Sequence, residues 1–243
     1  MLRPTATALL LVLAAGCTPG APASAPVSPA PAPPPAASPA PVPDPYRPCW
    51  NRPDTEACVA RTEQRLLAAT AGRVRREGDR LLFQGTGRAN LPLEDDRTEG
   101  ARTVLHRYAG WIPEIGHHLV QLSFYEGGGW LLVDGETTNQ VQVLGPPVVA
   151  PDRSRFAATS VDLEAGYDPN GIQVWSMAQG FPRLEWGVDG GSTWGASDAA
   201  WIDANTVEFT RHVNTTGDPE QTRTIRTRLV LGEDGITLRS VGR

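Results

Sequence analysis

The chain has 243 residues, of which 40% are hydrophobic and 7% aromatic, and its formal net charge is −5. This composition is ordinary for a globular protein, and the lack of a basic surplus argues against a nucleic-acid-binding groove. All 22 basic residues are arginines, which excludes Schiff-base catalysis by lysine and a phosphate-loop lysine.

The first predicted element, residues 1–16, is a targeting signal. An uncharged apolar run at residues 8–15 has the length of a signal-peptide core and is too short for a permanent membrane span. It leads into LAAGC at residues 13–17, which resembles the signal of bacterial lipoproteins, where a small residue precedes an obligatory cysteine. The resemblance implies cleavage before Cys17, lipidation of its sulfur and a membrane anchor. Thr18 follows the cysteine, which favours the outer membrane of a bacterial envelope, with the protein facing the periplasm.

Residues 17–45 are predicted to be a tether that carries the lipidated cysteine. Residues 18–45 contain 12 of the 23 prolines, mixed with alanine and serine. Because proline fixes φ and lacks an N–H, neither helix nor sheet can form there. An extended chain of 28 residues reaches about 85 Å, so the tether would hold a domain clear of a membrane surface.

Cys49 and Cys58 remain as a pair once Cys17 is lipidated. Both lie beyond the export signal, in an oxidising compartment where disulfides persist. We therefore expect a Cys49–Cys58 disulfide. A metal site is not expected, because no second cysteine pair or nearby histidine completes a set of four ligands.

Residues 46–71 are predicted to be a helical segment stapled by this disulfide. Asp54 or Thr55 can cap the helix and Gly72 can end it. The cysteine-bounded start of the segment resembles that of the LprI-like lysozyme inhibitors, which implies inhibition of lysozyme as one alternative function.

Residues 72–243 are predicted to form an all-β domain. Short stretches rich in β-branched, leucine and aromatic residues alternate with turn residues, and no long window shows a helical period. The predicted strands are RLLFQG, TVLHRYAGW, HLVQLSFYE, GWLLVDG, QVQVLG, RFAATSVD, IQVWSMA, RLEWGV, TVEFTRHV, TIRTRLVLG and ITLRS.

Two stretches, residues 148–157 and 199–208, share a pattern in which a strand ends at an aspartate and a new strand follows two residues later. In each, the side chain of Asp152 or Asp203 can bond the backbone two residues on. Residues 130–144 are predicted to be the outer hairpin of such a unit. These stretches resemble TolB-type and WD40-like β-propeller repeats, which implies a small or incomplete propeller-like domain. A two-sheet β-sandwich is the alternative fold.

Catalytic motifs are absent from the sequence, and no cofactor is predicted. GGSTW at residues 190–194 lacks the last glycine of a nucleophile elbow. His117 and His118 are adjacent, so a strand would place them on opposite faces and they could not easily share a metal.

The acidic stretch SVDLEAGYDPNG could carry chemistry if its strand continued. Asp162 and Glu164 would then share one face as a calcium site or an acid/base pair. The turn signal DPNG at residues 168–171 favours a solvated hairpin instead.

Exposed aromatic residues are the best sequence candidates for a binding site. Trp186 and Trp194 flank a glycine-rich loop that cannot easily bury both, whereas Trp201 starts a strand and is predicted to be core. Tyr167 is the third candidate binding residue. Exposed aromatic side chains on a rigid β scaffold commonly bind partners.

The sequence thus predicts a membrane-anchored bacterial envelope lipoprotein with a β-rich binding domain. The partner would be an envelope protein, a peptide or a glycan; no catalysis and no nucleic acid is implied. Besides lysozyme inhibition, a hydrolase of envelope substrates that uses Asp162, Glu164 or the histidines stays open.

Overall fold

The computed structural model describes residues 39, 41–216, 221–232 and 235–242. The targeting signal, Cys17 and most of the predicted tether lie outside the described residues. A 3-10 turn at Arg47–Cys49 precedes the helix α1 (Thr55–Ala68), and fifteen strands are found in the described part of the chain. The strands are β1 (Val74–Glu77), β2 (Arg80–Gln84), β3 (Asn90–Glu94), β4 (Val104–Ile112), β5 (His117–Phe124), β6 (Gly128–Asp134), β7 (Gln140–Val143), β8 (Val148–Val149), β9 (Arg155–Ser160), β10 (Gly171–Ser176), β11 (Arg183–Asp189), β12 (Trp194–Asp203), β13 (Thr206–Asn214), β14 (Thr222–Gly232) and β15 (Gly235–Ser240).

The strands form four antiparallel sheets, and each sheet is a meander of strands that are consecutive in the chain. Sheet 1 contains β1 to β3, sheet 2 contains β4 to β7, sheet 3 contains β8 to β11, and sheet 4 contains β12 to β15. The predicted all-β class is therefore confirmed.

Consecutive sheets pack face to face through three apolar clusters. Sheet 2 directs Leu119 into the cluster shared with sheet 3, and the adjacent Val120 into the cluster shared with sheet 1. Sheet 3 directs Phe156 toward sheet 2 and Ala157 toward sheet 4. Since adjacent residues of a strand point to opposite faces, both central sheets are buried on both sides.

This stack of four sheets is the predicted propeller-like arrangement rather than a two-sheet sandwich. Among the described residues, no apolar cluster joins sheet 1 to sheet 4.

The predicted aspartate turns are present in the structure. Asp152 Oδ1 accepts a hydrogen bond from the Ser154 N–H at 3.1 Å, and Asp203 Oδ1 accepts one from the Asn205 N–H at 2.8 Å. The Asp152 turn joins the first two strands of sheet 3, and the Asp203 turn joins the first two strands of sheet 4. The hairpin predicted at residues 130–144 is also confirmed, because β6 and β7 are the last pair of sheet 2.

The sequence patterns missed β1, β3 and the first half of β12. Strand β3 contains Pro92, which is tolerated because β3 is an edge strand of sheet 1. The start of β12 is rich in glycine, alanine and serine, which have low strand propensity. Burial of Trp194 and Ala196 against sheet 3 holds it in the sheet.

The predicted helix and disulfide are both present. Cys49 and Cys58 are bonded, with their Cα atoms 5.6 Å apart. Helix α1 starts where predicted, but the Asp54 carboxylate does not cap it and instead pairs with Arg52 and Arg61. No helix in the described part of the chain is long and apolar enough to cross a membrane.

An ion pair between the buried Glu63 and the partly buried Arg76 fixes α1 against sheets 1 and 2. The Glu63 carboxylate accepts hydrogen bonds from Nε and Nη2 of Arg76, both at 2.8 Å, and from the Tyr108 N–H at 2.8 Å. The Tyr46 hydroxyl donates to the Tyr108 carbonyl at 2.6 Å. Tyr108 therefore connects the N-terminal segment, the helix and the sheets.

Asp95 completes this network beneath the helix. It accepts a hydrogen bond from the His106 N–H at 2.8 Å and lies 3.4 Å from Nη1 of Arg76. Burial by itself raises the pKa of Asp95, but the His106 hydrogen bonds and the Arg76 charge hold it below its usual value. We call Glu63, Arg76, Asp95, His106 and Tyr108 the helix network.

Candidate binding surface

The structure brings the three tryptophans that the sequence placed around one loop into or against a single apolar cluster, between sheets 3 and 4. Trp201 is core, as predicted, and its Nε1–H donates to the Val148 carbonyl at 2.7 Å. Trp186 on β11 is half-buried against the cluster between sheets 3 and 4. Neither ring projects freely from the domain.

Trp194 is only 7% exposed, which corrects the expectation that it is presented as a binding residue. It is the first residue of β12, opposite Val213 of β13, and its ring enters the cluster between sheets 3 and 4. The Arg211 guanidinium carbon lies 4.6 Å from the ring centroid, in a cation–π contact. Its role is structural in this conformation.

Tyr167, by contrast, is 56% exposed near the tip of the loop between β9 and β10. The loop is organised by Asp162, whose carboxylate accepts hydrogen bonds from the N–H groups of Ala165, Tyr167 and Asp168 at 2.8 to 3.0 Å. Burial alone raises the pKa of Asp162, but these donors hold it below its usual value.

The predicted pairing of Asp162 with Glu164 on one strand face does not occur. Strand β9 ends at Ser160, so the alternation that would align the two carboxylates stops before them. The Asp162 carboxylate is occupied by its own loop amides. The solvated-turn interpretation of this stretch therefore describes the loop.

Asn170 ties the same loop to the rest of the domain. It is buried, its Oδ1 accepts from the Asp162 N–H at 2.5 Å, and its Nδ2 donates to the Asp162 carbonyl at 3.1 Å. Its carbonyl accepts from the Gly190 N–H at 2.9 Å, in the turn between β11 and β12. The loop is thus fixed at its base while its tip stays in solvent.

The turn between β5 and β6 of sheet 2 lies directly against this loop. The Gly128 N–H donates to Asp168 Oδ1 at 2.5 Å. Gly127 has φ +75°, and a Cβ built there would lie 2.9 Å from the Tyr167 Cβ. Two more aromatic residues occupy this turn, Phe124 at 37% and Tyr125 at 59% exposure.

We call Phe124, Tyr125 and Tyr167 with their two loops the aromatic loop surface. The sequence predicts Tyr167 as a binding residue but not the other two, because both fall within the predicted strand HLVQLSFYE, whereas β5 ends at Phe124 and Tyr125 lies in the turn. The run of three glycines after Glu126 is the signal that a turn follows.

A cleft of about 240 Å³ opens beside these loops where sheets 2, 3 and 4 converge. Gly129, Thr159 and Ser197 line it from the three sheets, and Asp168 lies at its edge. A second cleft of about 400 Å³ lies between the Tyr167 loop and the turn after β11. Recesses of this kind beside exposed aromatic residues suit a protruding ligand group.

The loop segments 124–130, 159–171 and 187–193 contain five carboxylates and no basic residue. None of the five forms a salt bridge with an arginine of the described chain. The carboxylates belong to Glu126, Asp162, Glu164, Asp168 and Asp189. The three segments themselves therefore carry only negative charge.

The histidines are not arranged as a metal or catalytic centre. His117 and His118 point to opposite faces of β5, as predicted: His117 Nδ1 lies 2.6 Å from the Ile115 carbonyl and His118 Nδ1 lies 3.1 Å from the Tyr108 hydroxyl. Within the described residues, no three His, Cys, Asp or Glu side chains are grouped to hold a metal ion.

Ser197 and His212 come nearest to a nucleophile and base, with Oγ and Nε2 2.8 Å apart. The neighbouring carboxylate of Asp198 accepts from the same serine hydroxyl at 2.7 Å. In a catalytic triad the carboxylate orients the histidine, and here it bonds the serine instead. The contact is a polar pairing on sheet 4.

Comparison with known proteins finds distant structural likeness alone. No family model matches the chain, and no curated protein matches it. Among solved structures, the N-terminal domain of Nup159 aligns with 69% of this chain and 47% of its own, at 9% identity and a TM-score of 0.33. A likeness this distant bears on neither fold nor function, and the fold stands on the sheets described above.

Proposed function

We propose that the protein is a lipid-anchored component of a bacterial envelope whose propeller-like domain binds a macromolecular partner through the aromatic loop surface. The single observation that carries the proposal is the exposure of Tyr125 and Tyr167 on two loops bonded to each other. Large exposed side chains on a preorganised scaffold lose little conformational entropy on binding.

The anchor is supported by the sequence of residues 1–17. An apolar run ends at LAAGC, and the proline-rich residues that follow suit an extended tether. The domain side of that tether is partly packed, since Val42 contacts the cluster between sheets 2 and 3. The reach of the tether is therefore set by the residues before Val42.

The anchor is tested by expressing the full chain and Cys17→Ser in a bacterial host and separating membranes from soluble fractions. Wild type is expected in the membrane fraction and labelled by a palmitate analogue. The variant is expected in the soluble fraction without label. A variant that still sediments with membranes would remove the anchor.

The binding role is tested by placing a photo-crosslinking residue at position 167 in cells. A discrete crosslinked species is expected there and at position 125. Position 136, in the exposed turn between β6 and β7 at the opposite end of β6, is the control and should give none. The same species at all three positions, or at none, would contradict the assignment of the surface.

A further inference from the structure

The charge around the aromatic loop surface differs from that of the rest of the domain. Several carboxylates on the strands elsewhere are paired with arginines, as in the pairs Glu185 with Arg155 and Glu208 with Arg228. The loop segments instead hold five carboxylates without one basic residue.

Not all of these carboxylates are used by the loops themselves. Asp162 and Asp168 accept hydrogen bonds from backbone N–H groups of the two loops. Glu126 and Glu164 are exposed, and among the described residues neither has a hydrogen bond or ion pair to a side chain. These two are therefore available to a partner.

Aromatic rings and carboxylates are combined on one surface. Tyr125 is adjacent to Glu126 in one turn, and Tyr167 lies three residues after Glu164 in the other. A guanidinium or ammonium group is attracted both to the face of an aromatic ring and to a carboxylate. A partner of negative charge would be repelled by the same groups.

We propose that the aromatic loop surface binds a basic, arginine- or lysine-bearing segment of a partner protein. The cationic side chains lie over Tyr125 and Tyr167 and pair with Glu126 and Glu164. This inference rests on the proposed function, because it takes the same surface as the binding site and adds the chemistry of its ligand.

The contact is measured by fluorescence anisotropy with labelled nona-arginine as the probe and the purified chain carrying Cys17→Ser as the receptor. Nona-arginine is expected to bind, with an affinity that falls as salt is raised, and nona-glutamate is not. The double variant Y125A/Y167A is expected to weaken binding by about tenfold. The double variant E126Q/E164Q is expected to weaken it by about fivefold and to flatten the salt dependence.

Two control variants remove similar groups elsewhere. Glu136→Gln removes an exposed carboxylate from another hairpin turn, and Trp50→Ala removes an exposed ring from the N-terminal segment. Both should keep the wild-type affinity within about twofold. Thermal unfolding curves that overlay the wild type show that each variant is folded.

Several outcomes would overturn the inference. If both double variants keep the wild-type affinity for nona-arginine, the probe binds elsewhere on the protein. If a neutral chito-oligosaccharide binds and nona-arginine does not, the surface is a glycan-binding site. If nona-arginine fails to bind while crosslinks at position 167 persist in cells, the ligand chemistry is wrong and the proposed function stands. If nona-arginine does not bind and no crosslinks form at position 167, the proposed function is wrong as well.

Discussion

Beneath helix α1 each carboxylate of the helix network meets an arginine or a backbone N–H. At the aromatic loop surface, by contrast, Glu126 and Glu164 are exposed and have no side-chain partner in the described part of the chain. Glu63 is buried and receives three hydrogen bonds, while Glu164 is exposed with no partner side chain among the described residues. The same residue type therefore stabilises the fold in one region and is left free in the other. Burial decides which of these two roles a glutamate has, because a buried charge must be paired.

The strongest test of this contrast is Glu63→Gln. The substitution removes the charge that pairs in bidentate fashion with the partly buried Arg76 guanidinium, which keeps only Asp95 and the His106 carbonyl as partners. We therefore expect a loss of about 3 kcal/mol in the free energy of unfolding. Urea unfolding of the full chain measures it. Glu77→Gln, which breaks an exposed pair with Arg75, is the matched control and should cost less than about 0.5 kcal/mol. Equal losses in the two variants would show that the Glu63–Arg76 pair contributes no more to stability than an exposed ion pair.

The next test uses pH on His118, which is buried against Tyr108. Burial, then the nearby charges of Arg73 and His117, lower the pKa of His118 to about 4. An unfolded histidine titrates near about 6.5, so between these values only the unfolded chain binds the proton, and stability falls as pH drops from about 6.5 to about 4. The expected loss is about 3 kcal/mol.

This pH effect is isolated by comparing wild type with His118→Asn in urea unfolding between pH 8 and pH 4. The variant keeps a polar atom for the Tyr108 hydroxyl but cannot titrate. Its stability should fall less than that of wild type over this window, by about 3 kcal/mol. Parallel curves would mean that His118 is not the group responsible.

A smaller effect is expected from Gly127→Ala, which disturbs the contact between the two loops. The new Cβ would lie 2.5 Å from Asp168 Oδ1, at a residue whose φ is +75°. We expect a loss of about 1 to 2 kcal/mol together with weaker partner binding. Gly166→Ala is the control, because Gly166 has φ +70° and open space around it. Gly166 borders Tyr167, so Gly78→Ala, in the turn between β1 and β2 with φ +59° and open space around it, is the control for binding. Gly127→Ala should impair binding and Gly78→Ala should not; a loss of binding in both would point to backbone strain alone.

The smallest effect on stability is expected at the aromatic loop surface itself. Glu164→Gln should change the free energy of unfolding by less than about 0.5 kcal/mol, because the side chain is exposed. The same urea titration that detects Glu63→Gln measures it. A loss comparable to that of Glu63→Gln would mean that Glu164 belongs to the fold rather than to a binding site.

Local sequence patterns predicted the parts of the structure that depend on short-range chemistry. The Asp152 and Asp203 turns need only a carboxylate and an N–H two residues on, and the Cys49–Cys58 pair closes a short loop. The alternation of apolar residues likewise predicted most strands. The first half of β12 was not predicted as a strand, because its small residues have little strand propensity and depend on packing against sheet 3.

The candidate surface was predictable only in part. Tyr167 could be named from sequence, but Phe124 and Tyr125 lie about forty residues earlier. Their turn is placed against the Tyr167 loop by tertiary contacts, such as the hydrogen bond from the Gly128 N–H to Asp168 Oδ1. Trp194 was expected at the surface and is buried, because the sequence does not reveal which face of β12 meets sheet 3.

By itself, the sequence determined the all-β class, the hairpin turns, the disulfide and the helix, since each follows from side-chain periodicity or from contacts a few residues apart. Tertiary structure alone decided which sheet faces meet, which glutamate is buried with arginine and which aromatic residues gather in solvent. The physical reason is that burial and charge pairing depend on chain segments far apart in sequence, which only the stacking of the four sheets brings together.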